Sequence, residues 1–386
     1  MTSIEPRSKK SGAFRLHQTM AKKKKTTGSQ LTRPKKTAKR TPAAEVPKKL
    51  ITDLRKMIDD SRQVISETVN AALVILYWNI GKRVREDILK QKRAEYGEHI
   101  VYAVSRELAA EFGRGYSEAN LRNMVRFAEV FPAQEILYAL SRELSWTHFR
   151  SLIYLDDPLK REFYAEMCRV ERWSTRTLQK KIGGMLFERT ALSKKPAKLA
   201  KQELAKLRDE DQMSPDLVFR DPYFLDFLGL ADTYSEQDLE AAILRELEAF
   251  ILELGVGFAF VARQKRITVD GEDYYLDLLF YHRKLRRLVA IDLKLDKFKA
   301  EYKGQMELYL RWLERYEQQP DEESPLGLIL CAGKSEEQIE LLQLSKSGIR
   351  VAAYLTELPS RDLLCKKLHE SVRIARARLQ SKADER

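Results

Sequence analysis

Two apolar segments decide the fold of this chain: YLDLLFY at residues 275–281 and LVAIDLKL at residues 288–295, joined by a short basic turn. Their leucine, β-branched and aromatic residues are typical of strands buried in a sheet. Three charged residues interrupt them, Asp277 in the first segment and Asp292 and Lys294 in the second. Because alternate side chains of a strand share a face, Asp292 and Lys294 point the same way, and Asp277 can join them from the neighbouring strand. Buried carboxylates are costly unless they are paired or hold a metal, so the pattern predicts a functional site.

This grouping of residues has a defined chemistry. Two carboxylates on adjacent strands can share a small hard cation, and Mg²⁺ prefers oxygen ligands. The main-chain carbonyl of Leu293 is a candidate third ligand. A bound cation acidifies its water and neutralises charge on a phosphate, while Lys294 can orient the water or stabilise the transition state. The sequence therefore predicts phosphodiester hydrolysis with Mg²⁺, with Mn²⁺ as an alternative ion. Asp296 is expected to be a solvated acid at the strand end.

The carboxy-terminal half alternates helical and strand patterns. Asp270 and Gly271 favour a two-residue hairpin turn between the first two strands. The patterns predict helices at 238–254, 300–318 and 336–345, and strands at 258–269, 272–281, 287–295, 326–331 and 349–355. This order predicts a mixed central sheet flanked by helices.

The amino-terminal half, from Lys48 to about Phe187, has apolar residues at helical spacing. Gly81 is expected to interrupt one of these helices. Two helices have the features of DNA-contacting elements: one follows a glycine turn, and the other begins after Ser174. Their candidate contacts to bases or phosphates are Arg122, Arg126, Arg176 and Lys180. The alternative is that these are solvated helix faces of an interaction domain.

Composition excludes several classes of protein. Hydrophobic residues make up 44% of the chain, enough for real cores, but no apolar run is long enough to span a membrane. The amino terminus lacks the apolar stretch of a signal peptide. Cys168, Cys331 and Cys365 have neither zinc-ligand spacing nor the density of a disulfide framework. A reducing cytoplasm is the expected location.

Positive charge is concentrated at the amino terminus. Of the formal net charge of +13, most lies in residues 1–46, which hold 13 Lys and Arg and 2 acidic residues. This tail is expected to be disordered. It is either a phosphate-binding arm, a dispensable extension, or a misassigned start with Met20 as the first residue. The remaining expected divisions are a helical domain at 47–189, a linker at 190–230, an α/β domain at 231–375 and a short tail at 376–386.

The site residues resemble the PD-(D/E)XK nuclease superfamily, whose signature is an acid on one strand and acid-x-Lys on the next. Asp277 and Asp292-Leu293-Lys294 match it, although Leu276 stands where the motif has proline. The resemblance implies a restriction-endonuclease-like α/β fold. It also implies a glutamate from the preceding helix, for which Glu240 is the candidate and Glu246 the reserve. Gln305 and Tyr309 match the Gln-x-x-x-Tyr pattern of some members.

The resemblance extends to the YhcG-like family within this superfamily. It is carried by GFAFVARQ at 257–264, GLILCA at 327–332, GYS at 115–117 and LSWTH at 144–148. It implies a helical, winged-helix-like amino-terminal domain before the nuclease domain. Asp292 is a departure, since glutamate is expected there.

The function predicted from these features is Mg²⁺-dependent cleavage of DNA. Arg263 and Lys265 on the first strand, and Arg283 in the basic turn, are candidate phosphate contacts, the alternative for the first two being ordinary edge-strand charges. One site per chain suggests a homodimer or a larger assembly if both strands are cut. The alternatives are a non-catalytic DNA-binding or assembly protein and an RNA-processing nuclease.

Overall fold

A computed structural model of the protein describes residues 48–63, 69–90, 94–230 and 233–384. The predicted basic tail at 1–46 lies outside these residues. All described residues belong to one compact unit.

Helices alone build the described residues before position 190. They are α1 (Lys48–Gln63), α2 (Val69–Lys90), α3 (Ala94–Phe112), α4 (Glu118–Val130), α5 (Gln134–Ser141), α6 (Trp146–Leu152), α7 (Pro158–Glu171), α8 (Thr175–Gly183) and α9 (Leu186–Arg189). No strand that could form a wing lies in this described stretch.

The expected interruption at Gly81 was wrong, because α2 runs through it to Lys90. The glycine instead permits a close helix crossing, since a Cβ there would lie 1.8 Å from the Met124 carbonyl oxygen on α4. The second candidate DNA-binding helix, whose sequence pattern predicts a helix from Thr175 to about Arg189, is also shorter than predicted. It ends at Gly183, and Met185 takes a left-handed backbone (φ 50°) before α9 begins.

Residues 190–230, expected as a linker, contain ordered elements. These are α10 (Ala191–Lys194), α11 (Ala197–Glu210), α12 (Pro215–Val218) and β1 (Tyr223–Phe224). Leu204 of α11 and Tyr223 of β1 are fully buried. This stretch therefore contributes to the core.

The predicted mixed sheet is confirmed. Its remaining strands are β2 (Phe258–Val269), β3 (Glu272–His282), β4 (Arg287–Lys297), β5 (Leu326–Gly333) and β6 (Ile349–Leu355). The spatial order is β1-β6-β5-β4-β3-β2, with an antiparallel β2-β3-β4 meander and parallel pairing from β4 to β1. Asp270 and Gly271 form the tight β2-β3 turn with positive φ angles of 50° and 85°.

Helices cover both faces of the sheet. They are α13 (Glu236–Arg245), α14 (Leu247–Leu254), α15 (Glu301–Tyr316), α16 (Glu336–Leu341) and α17 (Arg361–Asp384). The single helix predicted over 238–254 is divided, because Glu246 leaves helical backbone angles (φ −105°, ψ 33°). The last helix, α17, was not predicted.

Alternation along β3 and β4 separates two cores. Leu278, Phe280 and Ile291 pack with α13, α14 and residues of the amino-terminal helices. Leu279 and Ala290 face the opposite way and pack with α15. The first cluster runs without interruption from the helices into the sheet, so apolar packing joins the two halves.

The turn between β3 and β4 is held by a buried histidine. The Leu285 N–H donates to His282 Nδ1 (3.0 Å), and the Arg283 N–H donates to the Gly257 carbonyl (2.9 Å). Burial lowers the pKa of His282 to about 4, and a hydrogen bond with the Val256 backbone opposes this only in part. Protonation of Nδ1 would break the bond from Leu285, so the neutral ring stabilises this turn.

Acid should therefore destabilise the protein through His282. In the unfolded chain the pKa of this histidine is about 6.5. Between pH 6.5 and 4, therefore, the unfolded state binds a proton on His282 and the folded state does not. The contribution is complete above about pH 6.5 and is lost as the pH falls towards 4. Between pH 7.5 and 5 the free energy of unfolding should fall by about 2 kcal/mol from this residue, as measured by urea unfolding. His282→Asn, which keeps an acceptor but does not titrate, should lack this component; identical pH dependence in both proteins would contradict it.

Candidate functional site

The β3-β4 ladder opens at the acid pair. The last paired residues are Leu278 and Ile291, and Asp277 and Asp292 come next on their strands. The Asp277 carboxylate accepts a hydrogen bond from the Leu293 N–H (Oδ2, 2.8 Å). A side chain thus continues the contact between the strands where the backbone ladder stops.

Asp292 is buried, with 2% of its surface exposed. Burial raises the pKa of this carboxyl to about 7; Lys294 opposes the shift and Asp277 adds to it. Lys294 Nζ lies 3.0 Å from Asp292 Oδ2. The contact lacks the angles of a hydrogen bond, so Oδ2 has no hydrogen-bond partner among the described residues. This oxygen is therefore ion-paired with the ammonium but accepts no hydrogen bond among the described residues. A buried carboxylate oxygen without a hydrogen bond calls for a further positive partner such as a cation.

The lysine is held as a cation. Burial disfavours its charge, but Asp292, with smaller contributions from Glu236 and Asp277, outweighs burial and raises the pKa of Lys294. The Tyr302 ring lies 5.3 Å from Nζ, a distance suited to a cation–π contact. Lys294 therefore presents an ammonium beside two carboxylates.

Glu240 reaches the same site through a residue that the sequence reasoning missed. The Gln264 side-chain amide donates to Glu240 Oε2 (2.8 Å) and to Asp277 Oδ1 (3.0 Å). Burial raises the pKa of Glu240, the bond from Gln264 lowers it, and Asp277 raises it further. One amide thus bridges two acids from different elements. Glu246, the reserve candidate, instead lies 3.5 Å from Arg245.

Gln264 has an unusual backbone for a strand residue, with φ of 43°. Its neighbours pair with Leu278 and Leu276, which sets it opposite Asp277. The tight turn at Asp270-Gly271 fixes this register, so the pairing could have been found by counting back from the turn. The positive φ, by contrast, has no sequence signal at a glutamine.

Gln305 and Tyr309 lie on α15 and bond to each other. Gln305 Nε2 donates to Tyr309 Oη (2.6 Å), which donates to the Tyr275 carbonyl (3.1 Å). Burial raises the pKa of Tyr309. Neither residue bonds directly to Asp277 or Asp292 in this structure. Their contact is with the β3 backbone two residues before Asp277.

The donor set suits a hard divalent cation. The described residues contain no ready-made group of three His, Cys, Asp or Glu side chains around a metal position. Mg²⁺ is nevertheless commonly bound by one or two carboxylates, with water and substrate phosphate completing its octahedron. Asp277 and Asp292 fit that pattern, since among the described residues Asp292 Oδ2 accepts no hydrogen bond. Asp296 is exposed and pairs with Lys299 (2.8 Å), outside the acid pair.

Several candidate DNA contacts on α4 are occupied within the protein. Arg126 donates to the Ile153 carbonyl (2.6 Å) and pairs with Asp156 (3.0 Å). Arg122 pairs with Glu118 (2.7 Å) but is largely exposed. These contacts leave Arg122 as the more accessible of the two arginines.

The other candidate contacts differ in accessibility. Arg176, Lys180, Arg263 and Arg283 are exposed. Lys265 is partly buried and pairs with Glu317 (2.7 Å) beyond α15, whereas Arg263 acts on Glu240. Strand alternation predicts that Arg263 and Lys265 share one face, but Gln264, with φ of 43°, lies between them. Of the seven candidates, Arg122, Arg126 and Lys265 thus have ion-pair partners within the protein.

The mixed sheet, with an acid on β3 and acid-x-Lys on β4, defines a restriction-endonuclease-like domain. Residues 216–372 match the YhcG PDDEXK nuclease domain, and residues 53–189 match the DUF1016 N-terminal domain. The chain is 33% identical over 344 residues to "Putative nuclease YhcG" of Escherichia coli (strain K12), covering 81% of this chain and 91% of that protein. The chain therefore belongs to the YhcG family, with its nuclease-type PD-(D/E)XK domain.

Two solved structures are also similar over part of the chain. One is a repair endonuclease from Pyrococcus abyssi, 22% identical with a TM-score of 0.23, over 33% of this chain and 50% of that one. The other is EndoMS in a complex with double-stranded DNA, 18% identical with a TM-score of 0.26, over 34% and 48%. The matched region thus spans about half of each of these two solved chains.

Among the described helices, none has the length and apolar character needed to cross a bilayer.

Proposed function

We propose that this protein is an endonuclease that hydrolyses phosphodiester bonds in DNA, with Mg²⁺ as its cofactor. The observation that carries the proposal is the Lys294 ammonium 3.0 Å from a buried Asp292 carboxylate, with Asp277 acting on both. A purely structural ion pair needs no second carboxylate beside it. Phosphodiester hydrolysis needs oxygen ligands for a cation and a positive group near the attacked phosphate.

Asp277 and Asp292 would hold the cation, with Glu240 and the Leu293 carbonyl as further oxygen ligands. The bound ion would neutralise charge on the phosphate and lower the pKa of a coordinated water. Gln264 would keep Glu240 and Asp277 close together until the ion binds, because its amide bonds to both.

Lys294 would contribute the protein's own electrostatic stabilisation of the transition state. Its N–H groups can donate to the attacking water or to a phosphate oxygen, where negative charge increases in the transition state. Asp292 fixes the ammonium at one position, so little reorganisation is needed at the moment of reaction. Gln305 and Tyr309 act as positioning residues, since their hydrogen-bond chain ends on the β3 backbone next to Asp277.

The amino-terminal helices are proposed to recognise DNA or to dock a partner. Exposed Arg176 and Lys180 on α8 support phosphate contacts, and so does the basic composition of residues 1–46. A homodimer would let one site per chain cut each strand of a duplex.

The proposal is tested with full-length protein and end-labelled DNA as duplex, single strand and branched junction. Cleavage is expected with Mg²⁺ or Mn²⁺ and should be lost in EDTA. Matched RNA should be cut more slowly. Tight DNA binding without products under either cation would favour the non-catalytic alternative, and preferential cutting of RNA would overturn the choice of substrate.

Gln264→Leu should reduce cleavage by about 10- to 100-fold, the usual effect of removing a residue that orients metal ligands. Leucine has similar bulk but cannot bridge Glu240 and Asp277. Initial rates at saturating Mg²⁺ provide the measurement. Thr268→Val on the same strand is the matched control, since among the described residues its hydroxyl bonds to exposed Asp273 (2.7 Å), away from the acids of the site. Equal rates for the two variants would rule out the role of the bridge.

A further inference from the structure

A cleft of about 880 Å³ lies where the amino-terminal helices meet the β3-β4 turn. One wall carries Arg142, after α5, and Arg172, at the end of α7; the other carries Arg283 and Lys284 of the turn. Arg283 is six residues along β3 from Asp277, or roughly 20 Å at the rise of a strand. The cleft is therefore distinct from the acid pair.

Most acids of the cleft are already neutralised. Glu166 and Asp211 both pair with Arg169 (2.9 and 2.7 Å), and Glu166 also pairs with Arg208 (2.9 Å). With these acids paired, the four wall cations give the cleft an excess of positive charge, although Lys284 also acts electrostatically on Glu171, next to Arg172.

Within the described part of the chain, Arg142, Arg172, Arg283 and Lys284 form no ion pair, and all four are exposed. Glu143 is the remaining acid of the lining. A concave surface with an excess of one charge concentrates its field and attracts ligands of opposite charge.

Both walls are held in place. Arg169 donates to the Leu207 carbonyl (2.7 Å), which ties α7 to α11 beneath the cleft. On the other side, Gly257 has φ of 100°, and a Cβ there would lie 3.3 Å from His282 Nε2. Fixed walls present their charges without a large ordering cost on binding.

We propose that this cleft binds the phosphodiester backbone of duplex DNA that flanks the cleaved segment. The inference rests on the proposed function, because it assumes a DNA substrate. Arginine and lysine side chains without internal partners can neutralise phosphates, and such contacts fix position without reading sequence. A distance of roughly 20 Å from the acids corresponds to about six base pairs of duplex, so one substrate could contact both places.

Duplex binding by the full-length protein tests the cleft, measured by fluorescence anisotropy in EDTA over a range of salt concentrations. Arg142→Ala/Arg172→Ala and Arg283→Ala/Lys284→Ala should each weaken binding by about tenfold or more. Each pair should also lower the slope of log affinity against log salt by about 2. Arg311→Ala/Arg315→Ala, an exposed pair on α15 outside the cleft, is the control and should bind as the wild type does.

The variant Arg142→Lys/Arg172→Lys keeps both positive charges and changes only the shape of the side chains. If charge determines binding, it should keep most of the affinity and the full salt slope. Unchanged slopes in both alanine pairs would overturn the proposal. Loss of binding to an acidic peptide with duplex affinity intact would also overturn it and indicate a protein partner. Because the assay needs no cleavage, an inactive wild type that still shows these losses would refute only the proposed activity.

Discussion

Lys294→Ala is expected to lower DNA cleavage by about 10²- to 10³-fold, the usual cost of removing one preorganised donor from a transition state. The ammonium is 3.0 Å from Asp292, and alanine leaves no group that can approach a phosphate oxygen from that position. Rates at saturating Mg²⁺ on the best duplex substrate measure the loss. DNA affinity, measured in EDTA, should change little, since the lysine is mostly buried and paired.

Lys299→Ala is the matched control for that substitution. Lys299 follows the same strand but is exposed and pairs with Asp296 (2.8 Å). It should retain the wild-type rate. Undiminished cleavage by Lys294→Ala would show that the acid–lysine site is not the catalytic site, and that the cleavage comes from elsewhere in the protein.

Glu253→Gln is expected to lower the free energy of unfolding by about 3–5 kcal/mol, as when one partner of a buried ion pair is removed. Glu253 on α14 accepts from Arg189 Nη1 (2.5 Å) and Arg220 Nη1 (3.2 Å), and from the Phe224 N–H (3.0 Å). Both arginine side chains are almost fully buried, so loss of the carboxylate would leave two guanidinium charges uncompensated. Although burial disfavours its charge, these arginines lower the pKa of Glu253.

Urea unfolding at neutral pH measures this effect. Glu314→Gln is the control, because its pair with Arg311 (2.9 Å) is exposed and should contribute less than about 1 kcal/mol. Equal stability of the two variants would show that the buried guanidinium charges of Arg189 and Arg220 do not need the Glu253 carboxylate for compensation. The cluster connects α9 of the amino-terminal helices to α14 beside the sheet, so its loss should weaken the contact between the halves.

Much of the fold could be predicted because its signals are local. The apolar runs, the Asp270-Gly271 turn and the change from helical to strand periodicity gave the limits of β2 and β6 and the mixed sheet. The same alternation predicted that Asp277, Asp292 and Lys294 would lie together. Prediction was poorer at helix ends: Gly81 lies inside α2, and the 238–254 helix is divided at Glu246.

The surroundings of the site were harder to predict. Gln264 lies between two charged residues and belongs to no motif, and only the turn register sets it opposite Asp277. Arg126 looked free to contact DNA but is bonded to residues about 30 positions away. Such partners depend on how the helices pack, and the spacing of residues in the sequence does not indicate that packing.

By itself, the sequence determined the strands, their turn and the two acids and lysine, because period-two alternation and turn chemistry act over a few residues. Tertiary structure decided which charges are buried together and which face solvent. It placed Glu253 between two arginines and, within the residues that the structure describes, left four cations without ion pairs around a cleft. The reason is that burial and Coulomb interactions depend on distances between elements far apart in the chain, which packing alone sets.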